Sequence, residues 1–180
     1  MSNKKLMLIV ISSLILGGIQ ASKCPRGWFD ATYLNMGCLS FNASQPMAWN
    51  EAEDFCKSFN NSHLVEIFNA VQQEFMVMKL YEFEELTGQK NIWWIGLTDE
   101  GSEGIWYWAY SHKEVEYTSW DEGQPDDIGY CGETTNNANY GIIYYGYSYN
   151  WDDNSIGDNP EICPRYPICQ MNVEPDIYVL

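Results

Sequence analysis

The chain has 180 residues, enough for one domain of ordinary size with a sizeable core. It is acidic, with 9 Lys and Arg against 25 Asp and Glu and a net charge of −16, and rich in aromatics, with 8 Trp, 13 Tyr and 7 Phe. That charge repels phosphate, which excludes nucleic acid and disfavours anionic membranes as partners, while abundant carboxylates suit a hard cation. The first residues read as an export signal: Lys4 and Lys5, an apolar or small run from Leu6 to Ile19, then Ala21 as the small residue before a cleavage point. The run is short for a membrane span, and no later stretch is apolar enough for one. Cleavage after residue 21 removes two lysines and takes the charge to −18. The expected location is therefore secreted and extracellular.

Two aromatic and apolar runs, Trp28 to Leu34 and Cys38 to Phe41, flank Asn35-Met36-Gly37 and predict a hairpin. Pro46 then opens a helix, with Ser44 or Gln45 as its cap. Met47, Trp49, Ala52, Glu53, Cys56 and Phe59 recur at spacings of three and four. A second helix is expected from about Asn69 to Glu85, its apolar side carrying Val71, Phe75, Met78 and Phe83, with Gly88 as the stop. Strands are expected at Ile92 to Leu97, Ile105 to Tyr110, within Ile142 to Trp151, and at Pro167 to Met171. The Asp-, Asn- and Gly-rich stretch from Thr118 to Tyr140 reads as loop. Two helices followed by short strands and a long polar loop make the fold class α+β.

Six cysteines, Cys24, Cys38, Cys56, Cys131, Cys163 and Cys169, in an exported chain predict disulfides, and the spacing alone leaves their pairing open. No CxxC pair occurs and there are two histidines, His63 and His112, which argues against zinc. Asn42 and Asn60 head Asn-x-Ser sequons and are candidate glycosylation sites. No nucleophile, base and orienting group stand out as a catalytic set, so binding is expected rather than catalysis.

The order of motifs resembles the C-type lectin domain family, from about Cys24 to Gln170. The residues that carry this are Cys24-Pro25 with Trp28, Cys38-Leu39-Ser40-Phe41, Trp49-Asn50-Glu51-Ala52 leading to Cys56, and His63-Leu64-Val65-Glu66-Ile67. Trp94-Ile95-Gly96-Leu97, Gly104-Ile105-Trp106-Tyr107-Trp108, and Trp120-Asp121-Glu122-Gly123-Gln124-Pro125-Asp126 follow, then Cys131, Trp151-Asp152-Asp153, Cys163 and Ile168-Cys169. The resemblance implies a disulfide-stabilised C-type lectin-like fold over residues 22–172, after a signal peptide at 1–21 and before a short tail at 173–180. It implies the pairings Cys24–Cys38, Cys56–Cys169 and Cys131–Cys163. Each bond would contribute about 2–4 kcal/mol.

The same resemblance implies a Ca2+ site that also binds carbohydrate. Gln124, Asp126, Asp152 and Asp153 match the family's ligand positions; Asp127, or Glu133, would stand in as a further metal ligand for the acids missing before Cys131, though neither is in register with the family. In the family the intervening proline, here Pro125, is typically cis. Calcium takes about six to eight oxygens, and a sugar's vicinal diol can supply two of them. Gln-Pro-Asp resembles the galactose-preferring version, so galactose or N-acetylgalactosamine is the implied glycan. The chain departs from the family pattern in three ways. Gly129 and Tyr130 stand where acids usually precede Cys131. Asp152 replaces Asn, and extra residues lie at 132–150 and 154–162. The galactose type also usually offers a Trp soon after Gln-Pro-Asp, where this chain has Asp127, Ile128 and Gly129, which leaves Tyr130, Tyr140, Tyr144, Tyr145, Tyr147 and Tyr149 to be weighed as sugar-stacking rings; ordinary strand packing is the favoured role for them. Trp94, Trp106, Trp108 and Trp151 are expected in the core. The competing expectation is a calcium-independent module of the same fold that binds a protein partner. A lone sugar site binds weakly, so association into an oligomer is compatible with function, although no coiled-coil or collagen-like repeat is present.

Overall fold

The computed structural model of the protein describes residues 23–129, 137–156 and 161–173. Eight strands form one sheet system in the order β1-β2-β8-β4-β6-β7, with β3 on β8 and β5 on β4. They are β1 Phe29–Asp30, β2 Cys38–Phe41, β3 Ser62–Leu64, β4 Ile92–Thr98, β5 Tyr107–Trp108, β6 Tyr140–Tyr144, β7 Asn150–Asn154 and β8 Arg165–Met171. Two helices, α1 Trp49–Lys57 and α2 Ala70–Thr87, pack with them, so the α+β expectation holds. β8 is the keystone: it pairs antiparallel with β2 and β3 and parallel with β4. Ile168 and Cys169 at its centre are fully buried.

Local chemistry explains the elements. The N-terminal hairpin forms as expected, with Phe29 opposite Leu39 and Asp30 opposite Cys38, and a 3-10 turn at Thr32–Leu34 between. Gly37 closes it at φ +64°, and a Cβ there would lie 2.1 Å from the Met171 carbonyl oxygen, so no side chain fits. Helix α1 starts at Trp49, three residues beyond Pro46, and neither Ser44 nor Gln45 caps it. Instead the Glu51 carboxylate, in the first turn, accepts the Ala48 N–H at 3.1 Å. Phe59 lies past the helix end.

Helix α2 is close to its predicted span. The Asn69 side chain accepts the Gln72 N–H at 3.0 Å, and Gly88 ends the helix in the left-handed region. Its buried stripe differs from the expected one. Gln72, Gln73, Phe75, Met76 and Leu80 face inward, whereas Val71 and Met78 are 59% and 53% exposed. Burial of the glutamines is repaid by hydrogen bonds. Gln72 accepts from Phe68 N–H and donates to Leu34 C=O. Gln73 accepts from Trp151 Nε1 at 2.8 Å and donates to Tyr149 C=O at 3.0 Å.

The strand expectations need three corrections. Only Tyr107–Trp108 of the 105–110 run is strand, and Ile105 is exposed. The 142–151 run splits into β6, a 3-10 turn at Tyr145–Tyr147, and β7. The last strand begins at Arg165 rather than Pro167. Trp94, Trp106, Trp108 and Trp151 are core residues, with Trp94 Nε1 donating to Met47 C=O. His63 is buried, stacked on Tyr110 at 3.8 Å, and His112 is exposed. Two expected disulfides, Cys24–Cys38 and Cys56–Cys169, are formed, the second joining α1 to β8. Cys163 is disulfide-bonded too, while its expected partner Cys131 lies outside the described residues, as do the expected signal segment at 1–21 and Tyr130. Among the described residues no helix is long and apolar enough to cross a membrane.

Candidate functional site

The site lies where the loop after Tyr117 is pinned against β7. Trp120 bridges to Trp151, Trp151 N–H donates to Ser119 C=O at 2.8 Å, and Asp121 N–H donates to Trp151 C=O at 2.9 Å. Asn150 adds a side-chain bond to Asp121. The loop then turns, with Gln124 N–H donating to Asp121 C=O, and the Gln124–Pro125 peptide is cis. Asp153 on β7 closes the arrangement. Its two carboxylate oxygens accept the backbone N–H groups of Asp126 at 2.9 Å and Asp127 at 2.7 Å. Asp153 is thus the anchor that fixes the loop's register on the strand.

The expected residues are gathered here. Asp152 and Asp153 are adjacent on β7, 2% and 1% exposed. Asp126 is exposed and bonds the Ile128 N–H, while Asp127 is half-buried at φ 56° and accepts the Ala138 N–H at 2.9 Å. Two buried oxygens, Gln124 Oε1 and Asp152 Oδ1, have no hydrogen-bond partner among the described residues. Buried polar atoms are ordinarily paired, so these two oxygens are the ones left for a partner beyond the described residues. Among the described residues, no three His, Cys, Asp or Glu side chains are gathered tightly enough to form a metal cage by themselves.

The electrostatics are those of crowded carboxylates. Burial, reinforced by the charges of Asp153 and Asp126, pushes Asp152 up to about 7. Burial likewise raises Asp153 to about 6, against the opposing pull of the N–H groups of Asp126 and Asp127. A second acid group belongs to none of the sequence motifs. Asp99, 2% exposed at the end of β4, is raised by burial and by Asp127; Glu103 is raised by Asp99 first and also by Asp127. Asp99 accepts the Gly104 N–H, and its other oxygen is buried without a partner among the described residues. The pointer to this group was the Asp99-Glu100-Gly101-Ser102-Glu103 run directly after a buried strand.

The tyrosines divide between packing and surface. Tyr140, Tyr144 and Tyr149 are buried, and Tyr149 donates its hydroxyl to Glu84 at 2.8 Å, on helix α2. Ile128 is 59% exposed at the loop edge. Of the two sequons, Asn42 accepts bonds from the Ser44 N–H and hydroxyl, and Asn60 is exposed while Ser62 is buried.

A family model described as "Lectin C-type domain" matches residues 45–171. Among curated relatives, the "Galactose-specific lectin nattectin" of Thalassophryne nattereri is 33% identical over 116 residues, 63% of this chain and 67% of that one. Among solved structures, the C-type lectin CEL-I of Cucumaria echinata superposes with a TM-score of 0.66 at 26% identity, covering 84% of this chain and 99% of that one. A calcium-independent type II antifreeze protein shares the fold with a TM-score of 0.61 at 23% identity, covering 83% and 94%.

Proposed function

Because the chain belongs to the C-type lectin domain family, we propose that it is a secreted, calcium-dependent carbohydrate-binding protein of galactose type, working by recognition rather than catalysis. One observation carries this reading: among the described residues Gln124 Oε1 and Asp152 Oδ1 are buried without a hydrogen-bond partner, and Asp152 feels the charges of Asp153 and Asp126. The donor set is all oxygen, and two neighbouring buried carboxylates repel each other, so a hard cation fits. Gln124, Asp126, Asp152 and Asp153 would hold it, with Asp127 at the margin. A bound Ca2+ supplies a point of attachment for two adjacent sugar hydroxyls.

This chain's own residues would do the rest. Asp153, fixed by two N–H groups, holds Asp126 and Asp127 in place before ligand arrives, which lowers the entropy lost on binding. Gln124 and Asp126 flank the proline in the order that resembles the galactose version, and nattectin, 33% identical over 116 residues, is named as galactose-specific. Asp152, where the family usually has Asn, contributes charge and no amide donor. Galactose or N-acetylgalactosamine is the proposed glycan, with residues 22–172 as the binding domain, 1–21 as its export signal, and Asn42 and Asn60 as glycan acceptors.

Retention on immobilised galactose tests this. The disulfide-bonded protein should bind in millimolar calcium and elute with EDTA, and Asp126→Ala should abolish retention. A folded protein that ignores galactose, mannose and calcium alike refutes the reading. That result would favour a calcium-independent protein-binding module, which the Gly129-Tyr130 departure and the fold shared with the calcium-independent antifreeze protein support.

A further inference from the structure

We propose a second binding surface, independent of the calcium reading: a groove that runs from the N-terminal half of α2 across Tyr117 to the 113–117 segment and docks a basic, extended segment of a protein partner. Two cavities form it. One, of about 450 Å³, lies between α2 (Gln73, Glu74, Val77, Met78) and Ser119, Ser148 and Asn150. The other, of about 490 Å³, is lined by Phe68, Trp108 and the 113–117 segment. Tyr117 belongs to both, so they adjoin. Each falls within the size range of ligand-accepting clefts.

The floor is aromatic and braced from beneath. Tyr117 stands edge-on to buried Trp151 at 5.8 Å, and Phe68 to buried Trp108 at 5.7 Å. One wall is a turn in which Ser148 and Tyr149 both take left-handed backbone, at φ 54° and 64°. Neither is glycine, and the conformation is held by Gln73 Nε2 donating to Tyr149 C=O and by the Tyr149 hydroxyl on Glu84. The groove is therefore preformed rather than a gap between mobile parts.

Its charge selects the occupant. Glu74, Glu114 and Glu116 line it, all exposed, and no ion pair among the described residues neutralises them. Among the described residues that line it the one cation is Lys113, whose Nζ sits 5.1 Å from the Phe68 ring centre, so this aromatic floor accepts a cation. Exposed Met78 and Phe68 add apolar contact at the two ends. A chain lying across Tyr117 would place same-side residues, which alternate along an extended backbone, into the two cavities. Lys or Arg stems would lie on the aromatics with their charged ends at the glutamates.

Fluorescence anisotropy in EDTA tests this, with the disulfide-bonded protein and a fluorescein-labelled octapeptide alternating Lys and Leu, against its Glu and Leu counterpart. The basic peptide should bind and the acidic one should not. Glu74→Gln/Glu114→Gln/Glu116→Gln should weaken binding about tenfold, three exposed ion pairs being lost together. Asp54→Asn/Glu85→Gln/Glu161→Gln, with the same net charge, should leave it within about twofold. Met78→Asn, at an exposed position, should weaken it severalfold. Asp126→Ala should leave it unchanged, which separates this surface from the proposed sugar site. Equal loss in both triple variants, no binding of the basic peptide, or a requirement for calcium overturns the proposal.

Discussion

Lowering the pH should stabilise the protein when calcium is withheld, and Asp152 is the residue chiefly responsible. Its carboxyl rises from an ordinary 3.8 to about 7, and that of Asp153 to about 6. A group with a raised folded-state pKa binds protons more tightly in the native protein than in the unfolded chain. Its contribution is complete below about pH 4 and is lost as pH rises through about 7. Each tenfold change in proton affinity is worth about 1.4 kcal/mol, so Asp152 alone has a ceiling of about 4 kcal/mol. Asp152 is coupled to Asp153 and the surrounding loop relaxes around a buried charge, so about half of that ceiling, about 2 kcal/mol, is a fair expectation. For a domain of this size that is about 4–8 °C in melting temperature. The assay is thermal melting in EDTA from pH 8 to pH 5, for the native protein and for Asp152→Asn, with the difference between the two curves as the readout. Glu84 and Asp30, whose carboxyls are held low by hydrogen bonds from Tyr149 and Thr32, lose their contribution only below this window. Millimolar calcium should reverse the trend, because protons then compete with the ion for the same oxygens. A difference curve that is flat, or falls on acidification in EDTA, refutes the electrostatic account of the site.

Three further outcomes follow from the packing and the loop. Gln73→Ala leaves the buried Trp151 Nε1 and the Tyr149 carbonyl without their partner, and should cost about 2–4 kcal/mol in urea unfolding. Cys56→Ala/Cys169→Ala opens a closure spanning 113 residues and should cost about 4–5 kcal/mol, more than loss of Cys24–Cys38, which spans 14; chemical denaturation of the two double variants ranks them. Gln124→Glu/Asp126→Asn, which exchanges the hydrogen-bond acceptor and donor around Pro125, should move preference from galactose towards mannose, read by competition on a galactose resin.

The helices and the buried strand β4 were legible because their signals are local: apolar spacing, an Asn cap, a Gly stop. The face of α2 was not, because Gln72 and Gln73 count as polar in any periodicity, yet each finds partners on segments remote in sequence. Strand β3 was not legible either, since Ser62 and His63 carry no strand signature and are placed by pairing with β8. At the site, the sequence showed which residues to watch through an ordered set of motifs. It could not show that Asp153 spends both oxygens on the loop backbone, or that Asp99 and Glu103 extend the acid group through Asp127, because those relations exist only after the chain folds.

The strand order has a consequence for presentation. β1 and β2 stand at one margin of the sheet and β7, which carries Asp152 and Asp153, at the other. A surface, matrix or neighbouring copy gripping the protein by the hairpin margin would leave the acid-bearing margin pointing outward. Copies fixed side by side in that way would display a field of parallel sites, and a polyvalent target would meet them as one adhesive face.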